Sequence, residues 1–139
     1  MSNTVTFQRV VLIDDSENDN FFHERALRKA GFGGEILVFE SGEPALEFLL
    51  LDQIAVPTLV LLDINMPGMN GFAVARGLSK GLQPRAAMQL NMLTSSAWSV
   101  DKVTAESIDL IHSYLVKPLT REMAAGLLVP DECVSQIEG

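Results

Sequence analysis

Apolar and polar residues fall in blocks along this chain, and the blocks switch period. Residues 9–14, RVVLID, are β-branched and apolar until they stop at acids, which predicts a buried strand. Residues 16–32, SENDNFFHERALRKAGF, predict a helix. Ser16 can cap it, acids crowd its first turn, Arg28 and Lys29 stand in its last turn, and Gly31 ends it. Residues 35–41, EILVFES, read as a second strand, and residues 42–52 as a helix with Pro44 in its first turn. Residues 57–63, PTLVLLD, form the strongest strand signal, followed by a shorter, glycine-interrupted helix over 71–81. Residues 86–93, AAMQLNML, predict a weaker strand, because Gln89 and Asn91 interrupt it. A helix over 96–108, a fifth strand over 110–117 and a short helix over 120–129, stopped by Pro130, complete the pattern.

The order is therefore β-α repeated five times. Strands separated by helices pair in parallel through right-handed crossovers. Such strands are buried on both faces, which fits their nearly continuous apolar runs. The expected fold is α/β, a doubly wound parallel sheet with helices on both sides. Its ligand site should lie beyond the C-terminal ends of the strands. One domain over 1–139 is expected, with a core at 9–128, a short N-terminal arm and a loose tail, DECVSQIEG.

Composition narrows the partners. The formal charge is −8 and the basic residues are scattered, which argues against nucleic acid and anionic membranes. No apolar run approaches the ~18 residues of a membrane span. The N-terminus lacks the basic and apolar regions of a signal peptide. Cys133 is the only cysteine, so no internal disulfide can form. The expectation is a soluble cytoplasmic protein.

The strand ends carry the chemistry. The first ends in Asp14 and Asp15, the third in Asp63, the fourth in Thr94, Ser95 and Ser96, and the fifth in Lys117 and Pro118. In a parallel sheet these ends share one edge, so three carboxylates, a hydroxyl and an ammonium would converge. Like charges this close raise a carboxylate pKa unless something compensates. Lys117 supplies one positive charge, and a hard oxygen-seeking ion such as Mg²⁺ would supply more. No histidine other than His112 lies near these ends, which argues against zinc. A carboxylate beside Mg²⁺, a lysine and a hydroxyl is equipped for phosphoryl transfer, with the aspartate as nucleophile.

Four stretches, LIDDS (12–16), LLDINMPGMNG (61–71), MLTSS (92–96) and YLVKP (114–118), together resemble the response regulator receiver domain of two-component signalling, in its stand-alone form. The resemblance covers about residues 9–128. It implies a flavodoxin-like three-layer sandwich and a set of roles. Asp63 would accept a phosphoryl group from a phosphohistidine of a sensor histidine kinase or a histidine phosphotransfer protein. Asp15 would bind Mg²⁺ directly and Asp14 mainly through water, with Asp63 and the backbone carbonyl of Asn65 completing the protein's ligands. Lys117 would pair with Asp63 at rest and with the phosphoryl group afterwards, and Pro118 would follow it through a cis peptide. Thr94 would be the switch hydroxyl and Tyr114 the switch aromatic. The interval from Thr94 to Lys117 is one residue longer than in many receivers, which leaves Ser95 as the alternative hydroxyl. The chain ends soon after its last helix, so output is expected through a protein partner, with a homodimer left open. The protein is expected not to be an enzyme beyond self-phosphorylation and self-dephosphorylation.

Plainer readings stand beside these. Asp14 and Asp15 could cap the first helix. DINMPG begins like a calcium loop, but Pro67 occupies its fifth position and Val74 its twelfth. Lys117 could be a solvated lysine and Tyr114 an ordinary core residue. His23 and His112 read as packing or surface residues, Met66 and Met69 as turn packing, Trp98 as packing or a partner contact, and Cys133 as a bystander. The rival function is a Mg²⁺-dependent phosphatase with an aspartyl-phosphate intermediate. Such enzymes place a second acid two residues beyond the nucleophile, where this chain has Asn65.

Overall fold

Five parallel strands form one sheet in the order β2-β1-β3-β4-β5, in a computed structural model that describes residues 7–84, 86–95 and 99–129. The elements are β1 (Arg9–Ile13), α1 (Glu17–Lys29), β2 (Glu35–Phe39), α2 (Gly42–Asp52), β3 (Thr58–Leu62), α3 (Gly71–Gly81), β4 (Met88–Thr94), α4 (Ser99–Glu106), β5 (Ile111–Val116) and α5 (Arg121–Leu128). Ser16 accepts the Asp19 N–H and caps α1, and Gly31, at a φ of 101°, turns the chain after it. Ser96, Trp98, Pro130, Cys133 and the tail lie outside the described residues.

Alternation sends side chains to two cores. Val11, Ile13, Val60, Leu62, Leu90 and Met92 pack with α2, α3 and α4. Val10, Leu12, Leu59, Leu61 and Leu93 pack with α1 and α5 on the opposite face. Every residue of β1 and β3 is buried, as two-sided strands require. From β1 the chain goes first to β2 on one side and then to β3 on the other. That reversal opens a crevice at the C-terminal ends of β1 and β3.

β4 runs one residue further than its apolar pattern predicts, and its polar residues have partners. Asn91 is fully buried, accepts the Ser113 hydroxyl at 2.5 Å and donates to Gln89 Oε1 at 3.2 Å. A register shift between β4 and β5 brings Ser113 opposite Asn91. A buried amide with its hydrogen bonds made does not weaken the strand. At the N-terminal ends of β1 and β3 the buried Arg9 donates to Thr58 Oγ1 at 3.0 Å and pairs with Asp52 at 2.6 Å, tying β1, β3 and α2 together.

Gly71 opens α3 directly against the chain that leaves β3. Its N–H bonds the Ile64 carbonyl at 2.9 Å, and a Cβ there would run into the Asp63 carbonyl oxygen. Backbone cannot yield as a flexible side chain can, so Gly71→Ala is expected to cost about 1–3 kcal/mol. Urea unfolding checks this. The midpoint should fall with an unchanged slope, and an unchanged midpoint would show that the approach is not tight.

Candidate functional site

Asp14, Asp63 and Lys117 are each held at the crevice by a backbone hydrogen bond that extends the strand ladder by one residue. The Asp14 N–H bonds the Phe39 carbonyl at 3.0 Å, Asp63 bonds Ile13 at 2.9 Å, and Lys117 bonds Thr94 at 2.7 Å. The side chains are therefore carried by the sheet itself rather than by free loops. The peptide between Lys117 and Pro118 is cis.

Carboxylate oxygens of Asp14, Asp15 and Asp63 all lie within 4.8 Å of one another. Asp14 and Asp63 are buried and Asp15 is exposed. Asp14 is fixed from two sides. Its Oδ1 accepts the Ser16 N–H at 2.9 Å, and its carbonyl accepts the side-chain amide of the buried Asn20 at 2.8 Å. Such an all-oxygen, mostly buried donor set suits a hard divalent cation.

Asp63 holds its proton unusually well. Burial pushes its pKa from 3.8 up to about 6, and the Asp14 charge adds to the rise. Lys117, the Ile64 N–H and the Thr94 hydroxyl act in the opposite sense, the last two by hydrogen bonding the carboxylate. Thr94 is fully buried, whereas Ser95 is exposed, so the hydroxyl that meets Asp63 is that of Thr94. Asn65 is exposed just beyond Asp63. Tyr114 is half-buried against the core and lines a groove with Lys102, Ala105, Glu106 and Ile111 of the α4 and β5 region.

Lys117 forms an ion pair with Asp63, as the resemblance implies, and stands closer still to two other acids. Its ammonium lies 2.6 Å from Asp14 Oδ2 and 2.7 Å from Asp19 Oδ2, but 3.7 Å from Asp63 Oδ1. Asp63 already meets Thr94 and the Ile64 N–H, and the lysine's hydrogen bond goes to Asp19. Burial opposes the Lys117 charge, but the Asp14 and Asp19 carboxylates outweigh it and hold its pKa above the ordinary lysine value. Asp19 is the residue that sequence reasoning missed. It reads as a first-turn acid favoured by the helix dipole. The available signal was its place one helical turn beyond Asp15, on the turn that begins at the acid pocket. His23, one turn further, is buried, and its pKa is lowered by that burial and by Lys117.

Fold and site together define a doubly wound α/β protein with an acid pocket at its topological switch point. The sequence model for the response regulator receiver domain matches residues 10–126, and the chain belongs to that family. It is 30% identical over 114 residues to the protein PilH of Pseudomonas aeruginosa, covering 82% of this chain and 88% of the relative. It is 29% identical over 116 residues to a probable methanogenesis regulatory protein, FilR2, of Methanothrix harundinacea, covering 81% and 74%. Among solved structures, a two-component response regulator from Cytophaga hutchinsonii superposes with a TM-score of 0.80 at 29% identity, covering 94% of this chain and 98% of that one. The chain is thus a receiver domain, consistent with a phosphoacceptor of two-component signalling, and the phosphatase reading is not favoured. Membership implies a phosphodonor kinase or phosphotransfer protein as partner, and an acidic pocket of the kind that typically binds Mg²⁺. Among the described residues no helix is long and apolar enough to cross a membrane.

The raised Asp63 pKa makes stability depend on pH. The folded chain keeps this proton up to about pH 6, while the unfolded chain releases it near 3.8. Folding therefore takes up a proton between those values, and stability falls as pH rises through that window. In metal-free buffer Asp63→Asn should be more stable than the parent above pH 6, by up to about 3 kcal/mol, with the gain vanishing toward pH 4. Denaturant unfolding at several pH values checks it, and a gain independent of pH would rule out this origin.

Proposed function

We propose that Asp63 is the phosphoacceptor of this receiver domain. The observation that carries this reading is the meeting of a buried aspartate with Thr94, Lys117, Asp14 and Asp15 at the switch point of the sheet. A kinase or phosphotransfer partner would present a phosphohistidine over the C-terminal edge. An Asp63 oxygen forms the new O–P bond while the P–N bond breaks, and the imidazole leaves with the electron pair. Ionised Asp63 is the nucleophile, so a pKa near 6 leaves it competent at neutral pH. The Asp14, Asp15 and Asp63 carboxylates, with the Asn65 carbonyl, would hold Mg²⁺, which when bound supplies charge neutralisation for the phosphoryl oxygens.

The chain's own groups then carry the switch. The phosphoryl group brings up to about two negative charges and new acceptor oxygens. Lys117 and the Thr94 hydroxyl are placed to answer them. Tyr114 would follow Thr94 inward and re-form the α4 and β5 surface, a shift between two packings set by differential contacts. Hydrolysis of the acyl phosphate returns inorganic phosphate and the free carboxylate. The only chemistry assigned to the chain is this self-phosphorylation and self-dephosphorylation.

Incubation with Mg²⁺ and a small phosphodonor should give one acid-stable, base-labile phosphoryl group, absent in Asp63→Asn. Lys117→Met should slow labelling by about a hundredfold, as loss of a preorganised charge does. Label persisting in Asp63→Asn would reject the acceptor assignment. Mg²⁺ at about a hundred times its Kd should stabilise the parent by about 2.7 kcal/mol. That gain should disappear in Asp15→Asn, and an equal gain there would remove Asp15 from the metal site.

A further inference from the structure

We propose that Asp19 is a brake on phosphoryl transfer: a positioning residue that holds the Lys117 ammonium beyond hydrogen-bond reach of Asp63 and thereby sets how fast the acceptor is loaded. This inference rests on the phosphoacceptor reading of Asp63. It is carried by one juxtaposition, in which α1 brings a carboxylate to the lysine that the reaction needs.

An ammonium has three hydrogens to give. At Lys117 one hydrogen goes to Asp19 Oδ2 at 2.7 Å, and Asp14 Oδ2 lies 2.6 Å away as an ion pair. Asp63 Oδ1, at 3.7 Å, is beyond hydrogen-bond range. The placement of Asp19 is built into the fold. Its N–H caps onto Ser16 Oγ at 3.1 Å, and the Ser16 N–H in turn bonds Asp14 Oδ1 at 2.9 Å. Asp14, Ser16 and Asp19 are therefore one hydrogen-bonded turn, and its acids flank Lys117 from the α1 side.

The two partners of Lys117 differ in what can relieve them. Asp14 belongs to the group of carboxylates whose oxygens could share one cation, whereas that group is Asp14, Asp15 and Asp63 and leaves Asp19 out. A cation there would satisfy Asp14 and leave Asp19 competing for the lysine. The step itself is unaltered: an Asp63 oxygen bonds phosphorus, and the donor's leaving group departs with its electron pair. What changes is the charge around it. Lys117 must be shared between Asp19 and the phosphoryl oxygens, and that sharing slows loading. The Asp19 side chain is 39% exposed, so water screens part of its charge, and the brake is worth about two- to tenfold in rate.

The test compares initial labelling rates of the full chain by a small phosphoramidate at saturating Mg²⁺. Asp19→Asn should label about two- to tenfold faster, and Asp19→Glu should stay near the parent rate. Glu17→Gln, which removes an exposed acid from the same helical turn, should change little. In a Lys117→Met background Asp19→Asn should have no effect, because the brake acts through the lysine. A second readout needs no phosphorylation. Calorimetric Mg²⁺ affinity of Asp19→Asn should stay within about threefold of the parent, since Asp19 is not among the ligands. An unchanged or slower rate in Asp19→Asn overturns the inference. So does an acceleration that survives without Lys117, or a fall in Mg²⁺ affinity of about tenfold or more, which would make Asp19 part of the metal site. Equal, measurable rates in the parent and Asp19→Asn sink the brake alone. A parent chain that takes no label sinks the acceptor reading as well.

Discussion

The structure turns on a crowd of like charges held by a fold that cannot relax them apart. Carboxylates of Asp14, Asp15 and Asp63 lie within 4.8 Å of one another, and Asp19 stands beside them on Lys117. Free in water these groups would separate and hydrate. Here two of them are buried, so the cost of bringing them together falls on protonation, on Lys117 and on any cation that binds. The raised pKa of Asp63 is the direct sign of that tension. A group arriving at Asp63 therefore enters a field already balanced between one ammonium and four acids.

The scaffold can impose this because its two central strands have nowhere to go. β1 and β3 are buried along their whole length, and their neighbours hold them in continuous parallel register. The ladder continues through the N–H groups of Asp14 and Asp63. Shifting the backbone of either acid out of line would break a buried backbone hydrogen bond, each an unsatisfied group of about 1–3 kcal/mol. Gly71 closes the other side by letting α3 start against the Asp63 carbonyl. Geometry at the site is thus inherited from packing remote from it.

Much of this was legible in the sequence because it follows from periodicity. Runs such as VVLI and TLVLL report burial on both faces, and a parallel sheet then forces their ends to one edge. Asp14, Asp15, Asp63, Thr94 and Lys117 meet for that reason. What the sequence hid depends on side-chain partners rather than on period. Gln89 and Asn91 look like interruptions until Ser113 is found opposite Asn91 through a register shift that no pattern encodes. Asp19 looks like a helix-dipole acid, since only the reach of Lys117 across the pocket reveals the pair. The choice between Thr94 and Ser95 turns on which one the strand end buries, a difference of one residue that spacing alone left open.

The same packing makes the site asymmetric, and the asymmetry suits a switch. Every residue of the two strands that carry Asp14 and Asp63, β1 and β3, is buried. On the far side β5 is an edge strand of half-buried and exposed residues. Motion is drawn from elements with few buried contacts, because they cost least to repack. Thr94 sits where the rigid side meets the yielding one, with its hydroxyl on Asp63 and its strand paired to β5. Tyr114 lies opposite Met92 on that strand, facing the α4 groove. A change of charge at Asp63 cannot be absorbed by moving Asp14 or the β1 backbone. Thr94 is a hydrogen-bonding side chain on Asp63 that leads toward the edge, so the proposed signal has its path of least resistance through Thr94, Tyr114 and the α4–β5 surface.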